Sequence, residues 1–164
     1  MVTIGGWDEI PLSSVEVTTI ANSNNFSCEI PKIPMLHYSG IAYHSSVCSR
    51  VHGIISCGGH TGSGETNKCF RLHTNLTWTP FYNMRMKRFS FSLMEINKMM
   101  IAIGGRGDGE DSFEHINLEN ESNWTTKSLP GFQIYAHCSV AINDKELMII
   151  GGKVNSTVSF ISVS

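Results

Sequence analysis

The chain has few charged residues, no strong excess of either charge and no long apolar run. Asp, Glu, Lys and Arg make up 16% of its 164 residues, against about 25% in an average soluble domain. The 12 basic and 14 acidic residues give a net charge of -2, too weak a field to hold a nucleic-acid backbone. Apolar runs such as Met99–Ile103 are far shorter than the roughly 18 residues of a membrane-spanning helix. Neither a nucleic-acid partner nor membrane insertion is therefore expected.

What the chain has in quantity is glycine, and the glycines are regularly spaced. Eight of its 15 glycines form four pairs: Gly5–Gly6, Gly58–Gly59, Gly104–Gly105 and Gly151–Gly152. The spacings are 53, 46 and 47 residues, and each pair closes a short apolar run, as is typical of buried strands. A repeat of about 47 residues therefore organises the chain.

Three further positions agree between the repeats. An aromatic residue stands about nineteen residues after the second glycine: Phe26, Trp78 and Trp124. An apolar residue stands eleven residues after it: Val17, Phe70, Ile116 and Val163. His44 and His137 stand fifteen residues before it, and Ser90 takes that place in the third repeat.

This register predicts a four-stranded antiparallel sheet in each repeat. The first strand begins near the His or Ser position, the second ends at the glycine pair, the third carries the apolar residue, and the fourth starts at the aromatic residue. Glycine is expected at the pair because a Cβ would obstruct close backbone approach or a positive φ. The aromatic residue fills the space between neighbouring sheets. Sheets of this kind, repeated radially, form a β-propeller.

The glycine pairs, together with Trp78 and Trp124 and the prolines that follow them, resemble kelch repeats over nearly the whole chain. The resemblance implies an all-β, kelch-type β-propeller of about four blades, two complete and two partial, in a single region 1–164. The approximate blades are 1–36, 37–86, 87–132 and 133–164. Since kelch propellers generally close with roughly six or seven blades, the chain is expected to be a fragment of a larger ring. The alternative is an open arc that a second copy of the chain completes by self-association.

Two of the five cysteines occupy matching positions in the second repeat. Cys57 immediately precedes its glycine pair, and Cys69 lies ten residues after that pair, on the next predicted strand. The other repeats have no cysteine at either position, so a disulfide across the hairpin is predicted. The alternative is two independent buried thiols. The pairing of the other cysteines is left open: Cys28, Cys48 and Cys138.

Five glycosylation sequons accompany the cysteine pair, starting at Asn25, Asn75, Asn120, Asn123 and Asn155. Three of them, Asn75, Asn120 and Asn123, precede the repeated Trp in the predicted turn between the third and fourth strands, where a glycan would be exposed. Sequons and a disulfide together favour a secreted or extracellular setting, and the alternative is the cytoplasm.

No pattern typical of a catalytic or metal site is found. The seven histidines show no metal-ligand spacing, and the repeated pair His44 and His137 is expected to make structural hydrogen bonds. No cofactor and no enzymatic activity are expected. Some kelch-like propellers are copper oxidases, but Tyr38, Tyr43, Tyr82 and Tyr135 do not map onto such a site. The basic segment 84–88 is interpreted as a solvated connection between blades, with Met84 and Met86 packing inward.

Arg106, Gly107 and Asp108 follow the third glycine pair in a loop expected to be exposed and mobile. Such a tripeptide presents a cation and a carboxylate to an adhesion receptor, or it is a solvated turn whose residues satisfy loop geometry. Overall, the predicted function is a non-enzymatic kelch scaffold that binds a protein or glycan partner through its loops, outside the cell. The alternative is an intracellular substrate-recognition module of a ubiquitin-ligase adaptor.

Overall fold

The computed structural model describes residues 2–19, 27–29, 40–49, 51–120, 123–153 and 159–162. These residues form β-strands joined by turns, without any helix, so the described part of the chain is all-β. It therefore contains no helix that is long and apolar enough to cross a bilayer. In chain order the strands are β1 Val2–Asp8, β2 Ile10–Thr19, β3 Ser27–Glu29, β4 Ser45–Ser49, β5 Gly53–Cys57, β6 His60–Thr61, β7 Gly64–Glu65, β8 Cys69–Leu72, β9 Trp78–Phe81, β10 Arg88–Phe89, β11 Ser92–Ile96, β12 Met99–Ile103, β13 Arg106–Gly107, β14 Ser112–Asn117, β15 Thr125–Ser128, β16 Cys138–Ala141, β17 Glu146–Ile150 and β18 Ser159–Ser162.

Four antiparallel sheets follow one another along the chain. Sheet 1 has the order β1-β2-β3, sheet 2 the order β4-β5-β8-β9, sheet 3 the order β11-β12-β14-β15, and sheet 4 the order β16-β17-β18. Two short ladders, β6-β7 and β10-β13, are inserted between strands of this series. In each of the four sheets, the strands lie side by side in the order in which the chain forms them. In the described residues these sheets form a series and not a closed ring.

Sheet 3 lies between sheets 2 and 4, and its first strand β11 contacts both β4 and β16. One core fills the space toward sheet 2 and contains Leu93, Met100, Ile116 and Trp124 of sheet 3. A second core faces sheet 4 and includes Met94, Ile101, Ile103 and Phe113 of sheet 3 together with Leu147 and Ile149 of sheet 4. Residues that alternate along the strands of sheet 3 thus enter opposite cores, as the pleat requires. Both faces of this sheet are buried along β11, β12 and most of β14, whereas β15 is largely exposed.

The register of sheet 3 corrects two predicted correspondences. Phe70 pairs with Ser56 in sheet 2 and Glu114 pairs with Ala102 in sheet 3, so Phe70 corresponds to Glu114 and not to Ile116. Ser45 pairs with Cys57 at the start of sheet 2, and Ser92 pairs with Ile103 at the start of sheet 3. The residue before the first strand is therefore His44 in sheet 2 and Phe91 in sheet 3, not Ser90. The segment that precedes the glycine pair is one residue shorter in the third repeat, and a constant offset could not show this.

The first repeat also differs from its prediction. Strand β1 continues through Gly5 and Gly6 to Asp8 and does not end at the pair. Asp8 then pairs with Ile10, so β1 and β2 form a tight hairpin around Glu9, whose φ is 58°. The ladder slips its register between Ile4 and Gly6, which is typical of a bulge at glycine.

Candidate functional site

Glycine pairs follow the second strand in each of the last three repeats, and the pairs of the second and third repeats bring neighbouring sheets close together. All six residues have positive φ: 62° and 102° at Gly58 and Gly59, 62° and 95° at Gly104 and Gly105, and 71° and 98° at Gly151 and Gly152. A Cβ on Gly58 would lie 2.6 Å from the carbonyl oxygen of Arg88, in the segment leading into sheet 3. A Cβ on Gly59 would lie 2.8 Å from the carbonyl oxygen of Ala42, in its own sheet. The first glycine therefore permits contact with the next sheet, and the second permits contact within its own.

Equivalent backbone hydrogen bonds connect successive sheets beside these glycines. Gly59 N–H donates to the carbonyl of Arg88, and Gly105 N–H donates to the carbonyl of Ile134, both at 2.8 Å. Ser90 N–H donates to the carbonyl of Tyr43 at 2.8 Å, and Ala136 N–H donates to the carbonyl of Ser90 at the same distance. Sheets 2, 3 and 4 are thus joined edge to edge by one repeated pattern.

The two repeated histidines pack against glycine and do not make the predicted hydrogen bonds. Among the described residues, His44 Nδ1 and both ring nitrogens of His137 have no hydrogen-bond partner. A Cβ on Gly104 would lie 2.9 Å from the His137 ring, and one on Gly58 would lie 2.6 Å from the Phe91 ring. His137 and Phe91 therefore do the same thing, which is to place a ring on the first glycine of the preceding sheet. Burial lowers the pKa of both His44 and His137 to about 4.

Five side chains form a continuous band beside the glycine pairs, which we name the aromatic rim: Tyr43, His60, Phe89, Arg106 and Tyr135. The Phe89 ring centroid lies 6.3 Å from that of Tyr43 and 6.0 Å from that of His60. The Arg106 guanidinium lies 5.9 Å from the Phe89 centroid and 5.3 Å from the Tyr135 centroid, within the range of cation–π attraction. The rim thus runs across sheets 2, 3 and 4.

The backbone beneath the rim is paired at each step. His60 bridges Ala42, Arg106 pairs with Phe89, and Tyr135 bridges Lys153. The Tyr43 side chain is 50% exposed and Arg106 is exposed, whereas the other three members are partly buried. The rim consequently presents rings and one guanidinium from a hydrogen-bonded support.

The tripeptide of Arg106, Gly107 and Asp108 is part of this support. Arg106 and Asp108 are exposed, but the expected loop is a short ladder in which Gly107 pairs with Arg88. Asp108 N–H donates to the carbonyl of Lys87 at 3.0 Å. Glycine is needed here because a Cβ on Gly107, where φ is 108°, would lie 2.7 Å from the same carbonyl oxygen. Arg106 is thus presented from a paired segment of the rim and not from an extended loop.

Arg88 is fully buried, which corrects the interpretation of segment 84–88 as solvated. Its Nη1 donates to the carbonyl of Gly104 at 2.7 Å, and its Nη2 forms an ion pair with Glu114 Oε2 at 3.0 Å. Glu114 is also fully buried, and its Oε1 accepts from the backbone N–H of Arg85 at 2.7 Å. Burial lowers the pKa of Arg88, and Glu114 opposes that change. The pair ties the connection between sheets 2 and 3 to the interior of sheet 3.

Met84 is buried as predicted, and Met86 is partly buried. The burial of Arg88 was missed because its partner lies 26 residues away and a basic run looks solvated in isolation. A lone acidic residue on a predicted core strand, Glu114, was the available signal.

The predicted disulfide between Cys57 and Cys69 is present. The two residues face each other in the ladder between β5 and β8 and lie in the core between sheets 2 and 3. Cys48 and Cys138 are exposed and form no disulfide, and the Cys28 side chain lies outside the described residues. An internal disulfide fits an oxidising environment.

The two repeated tryptophans are buried, and Trp124 lies in the core between sheets 2 and 3. Trp124 is 1% exposed, and its indole N–H donates to the carbonyl of Tyr82 at 2.7 Å. This bond links the residue before β15 of sheet 3 to the residue after β9 of sheet 2. Trp78 begins β9 and is 8% exposed. Both side chains are structural, as the repeat predicts.

Three of the five sequon asparagines lie in the described part of the chain, and all three are exposed: Asn75, Asn120 and Asn123. Asn75 lies in the turn between β8 and β9, where its Oδ1 accepts from the Thr77 hydroxyl at 2.6 Å. Asn25 and Asn155 lie outside the described residues. Tyr38, considered for a copper site, also lies outside them.

The described residues contain no group of three or more His, Cys, Asp or Glu side chains able to hold a metal ion. The arrangement beside the glycine pairs consists of aromatic rings and one guanidinium. No protein-family model matches the chain, and no curated protein is significantly similar to it in sequence.

Proposed function

We propose that this chain is part of a kelch-type β-propeller and serves as an extracellular scaffold whose aromatic rim binds a protein or glycan partner. Support for the propeller comes from the repeated sheet order and from the equivalent hydrogen bonds between sheets 2, 3 and 4. A regular rotation from one sheet to the next is what a radial arrangement needs.

The aromatic rim is the observation that carries the binding proposal. Aromatic and arginine side chains are enriched at the energetic centres of protein interfaces, because they bury much area with little loss of conformational freedom. Arg106 is already held between the rings of Phe89 and Tyr135, so its ordering cost on binding is reduced. The same rings offer flat apolar faces on which a sugar could stack.

The disulfide and the sequons support an extracellular setting. Cys57 and Cys69 are joined inside the core, and such bonds persist in oxidising compartments. Asn75 is exposed in a turn that presents its side chain next to the Thr77 hydroxyl. A glycan on Asn75 would not enter either core.

The test is a binding screen with the chain produced through a secretory pathway. We expect a specific ligand in an array of purified cell-surface ectodomains or in a glycan array. Tyr43→Ala and Arg106→Ala should each weaken its binding at least tenfold, because each removes a central rim contact. Val51→Ala is the matched control, since Val51 is 71% exposed in the turn at the other end of β4.

Binding that neither rim substitution weakens would overturn the proposal. A chain that folds only in the cytosol, with free thiols at both Cys57 and Cys69, would instead favour the intracellular adaptor.

A further inference from the structure

A second polar cluster lies on sheet 2, apart from the aromatic rim, and centres on Arg71 of β8. Arg71 Nε donates to His73 Nε2 at 3.3 Å, and Arg71 Nη1 lies 3.1 Å from His52 Nδ1. His73 Nε2 is also 2.8 Å from the hydroxyl oxygen of Thr79 on β9. Two imidazoles thus contact one guanidinium, and the Thr79 hydroxyl contacts one of these imidazoles.

The tautomer of His52 follows from its second contact. His52 Nε2 lies 3.1 Å from the carbonyl oxygen of Leu118, in the turn after β14 of sheet 3. A carbonyl only accepts, so Nε2 carries the hydrogen and Nδ1 is free to accept from Arg71. Through His52, this chain of contacts connects the guanidinium to the turn after β14 and orients it.

The charge of Arg71 has no counter-ion in the described part of the chain. Arg71 is not part of the ion pair between Arg88 and Glu114 or of the one between Lys98 and Glu119. The histidines accept hydrogen bonds from Arg71 but supply no negative charge. A half-buried guanidinium that is held in place by neutral groups is arranged to receive an anion.

The guanidinium borders a cleft of about 330 Å³ whose other lining residues are Pro80, Phe81 and Tyr82. The Tyr82 ring meets the Phe81 ring edge to face, with centroids 5.2 Å apart, and Tyr82 is 38% exposed. The cleft therefore combines a cation with a flat apolar wall, and its volume lies at the lower end of the range for small-molecule sites.

We propose that this cleft binds a carboxylate carried on a ring, of the kind found in an acidic sugar, with the carboxylate on Arg71 and the ring against Tyr82 and Pro80. The planar guanidinium can donate two parallel hydrogen bonds to a carboxylate. The proposal does not depend on the aromatic rim or on the propeller.

The experiment measures binding of three matched probes by NMR chemical-shift titration of the full chain. Glucuronate carries ring and charge, glucose carries the ring alone, and acetate carries the charge alone. We expect glucuronate to bind at least tenfold more tightly than either of the others, with the largest shifts at Arg71 and Tyr82. Equal affinity for glucuronate and acetate, or no saturable binding of glucuronate, would overturn the proposal.

Variants separate this site from general charge effects. Arg71→Gln keeps hydrogen-bond donors for the histidines but removes the charge, and it should weaken glucuronate binding at least tenfold. Lys68→Gln removes an exposed positive charge beside the same strand and should leave the affinity unchanged. Equal losses in both variants would contradict a specific site. An unchanged urea midpoint shows that Arg71→Gln still folds, and Arg106→Ala at the rim should leave glucuronate binding intact.

Discussion

Sheets 2 and 3 place different side chains at equivalent positions of the same ladder. Cys57 and Cys69 face each other in sheet 2 and are joined covalently. In sheet 3 the same two positions are taken by Ile103 and Phe113, which pack in the core toward sheet 4. One sheet thus carries a covalent link where its neighbour relies on apolar packing.

The reverse holds at a second pair of positions. Sheet 3 buries the ion pair of Arg88 and Glu114, and the corresponding residues of sheet 2 are Ile41 and Phe70, both buried. The same backbone positions therefore hold a buried ion pair in one repeat and two buried apolar side chains in the other. The disulfide joins two strands within sheet 2, whereas the ion pair ties the segment that leads into sheet 3 to β14. The predictions below ask how much each contributes.

The largest effect is expected from breaking the ion pair. Glu114→Ala leaves Arg88 buried without its charge partner, and removing one member of such a pair typically costs about 3–5 kcal/mol. Urea unfolding measures the loss. The double variant Arg88→Ile with Glu114→Phe imitates sheet 2 and should lose less than Glu114→Ala alone. A double variant that is less stable than the single one would show that the two sheets are not interchangeable here.

A somewhat smaller loss is expected from removing the disulfide. Cys57 and Cys69 enclose a short loop with a sequence separation of 12, for which the cross-link contributes about 3 kcal/mol. The variant with Ala at both positions should unfold at lower urea, and reductant should shift the wild-type midpoint in the same direction. Cys48→Ala with Cys138→Ala is the control, because neither residue forms a disulfide. Insensitivity of the wild type to reductant would contradict the cross-link.

The third prediction compares two equivalent glycines, one where an added Cβ would meet neighbouring atoms and one where it would not. Gly104→Ala must accept a positive φ and also clash with the segment leading into sheet 4, where the Ile134 carbonyl lies. Gly151→Ala has a similar φ, but no described atom lies within 4 Å of its added Cβ. We expect a loss of about 1 kcal/mol for Gly151→Ala from φ alone, and a loss at least twice as large for Gly104→Ala. Equal losses would show that a surface also covers Gly151.

The last effect is a dependence of stability on pH, which His44 and His137 provide and Phe91 does not. Their pKa of about 4 in the folded chain lies below the ordinary value of 6.5. The unfolded chain therefore binds more protons between these values, so the free energy of unfolding falls as the pH drops from 6.5 toward 4. His137→Phe copies sheet 3 and should flatten this dependence. An unchanged slope in urea titrations at several pH values would contradict burial of a neutral His137.

Many of the strands could be predicted from the sequence, because a weak local pattern becomes a strong one when it recurs in each repeat. One apolar run before Gly104 is a weak signal, but the same run before three other glycine pairs predicts the strands and their order. The Cys57–Cys69 bond was predictable for the same reason, since the register places both residues on adjacent strands.

What the sequence did not predict depends on contacts outside the repeat. Arg88 and Glu114 occur as a pair in one sheet only, so no comparison between repeats could reveal them. The one-residue contraction that places Phe91 at the histidine position lies in the turn between β11 and β12, which is one residue shorter than the turn between β4 and β5. It is visible only in the register of the ladders. The cluster around Arg71 joins a turn, two strands and a neighbouring sheet, and no spacing in the chain marks it.

The most direct measurement is peptide mapping by mass spectrometry without reduction, on the chain produced through a secretory pathway. The comparison of the two sheets predicts a linked peptide pair that contains Cys57 and Cys69, alkylatable thiols at Cys48 and Cys138, and a glycan at Asn75. Alkylation of both Cys57 and Cys69 in the folded, unreduced protein would contradict the covalent link within sheet 2 and remove the main support for the proposed extracellular setting.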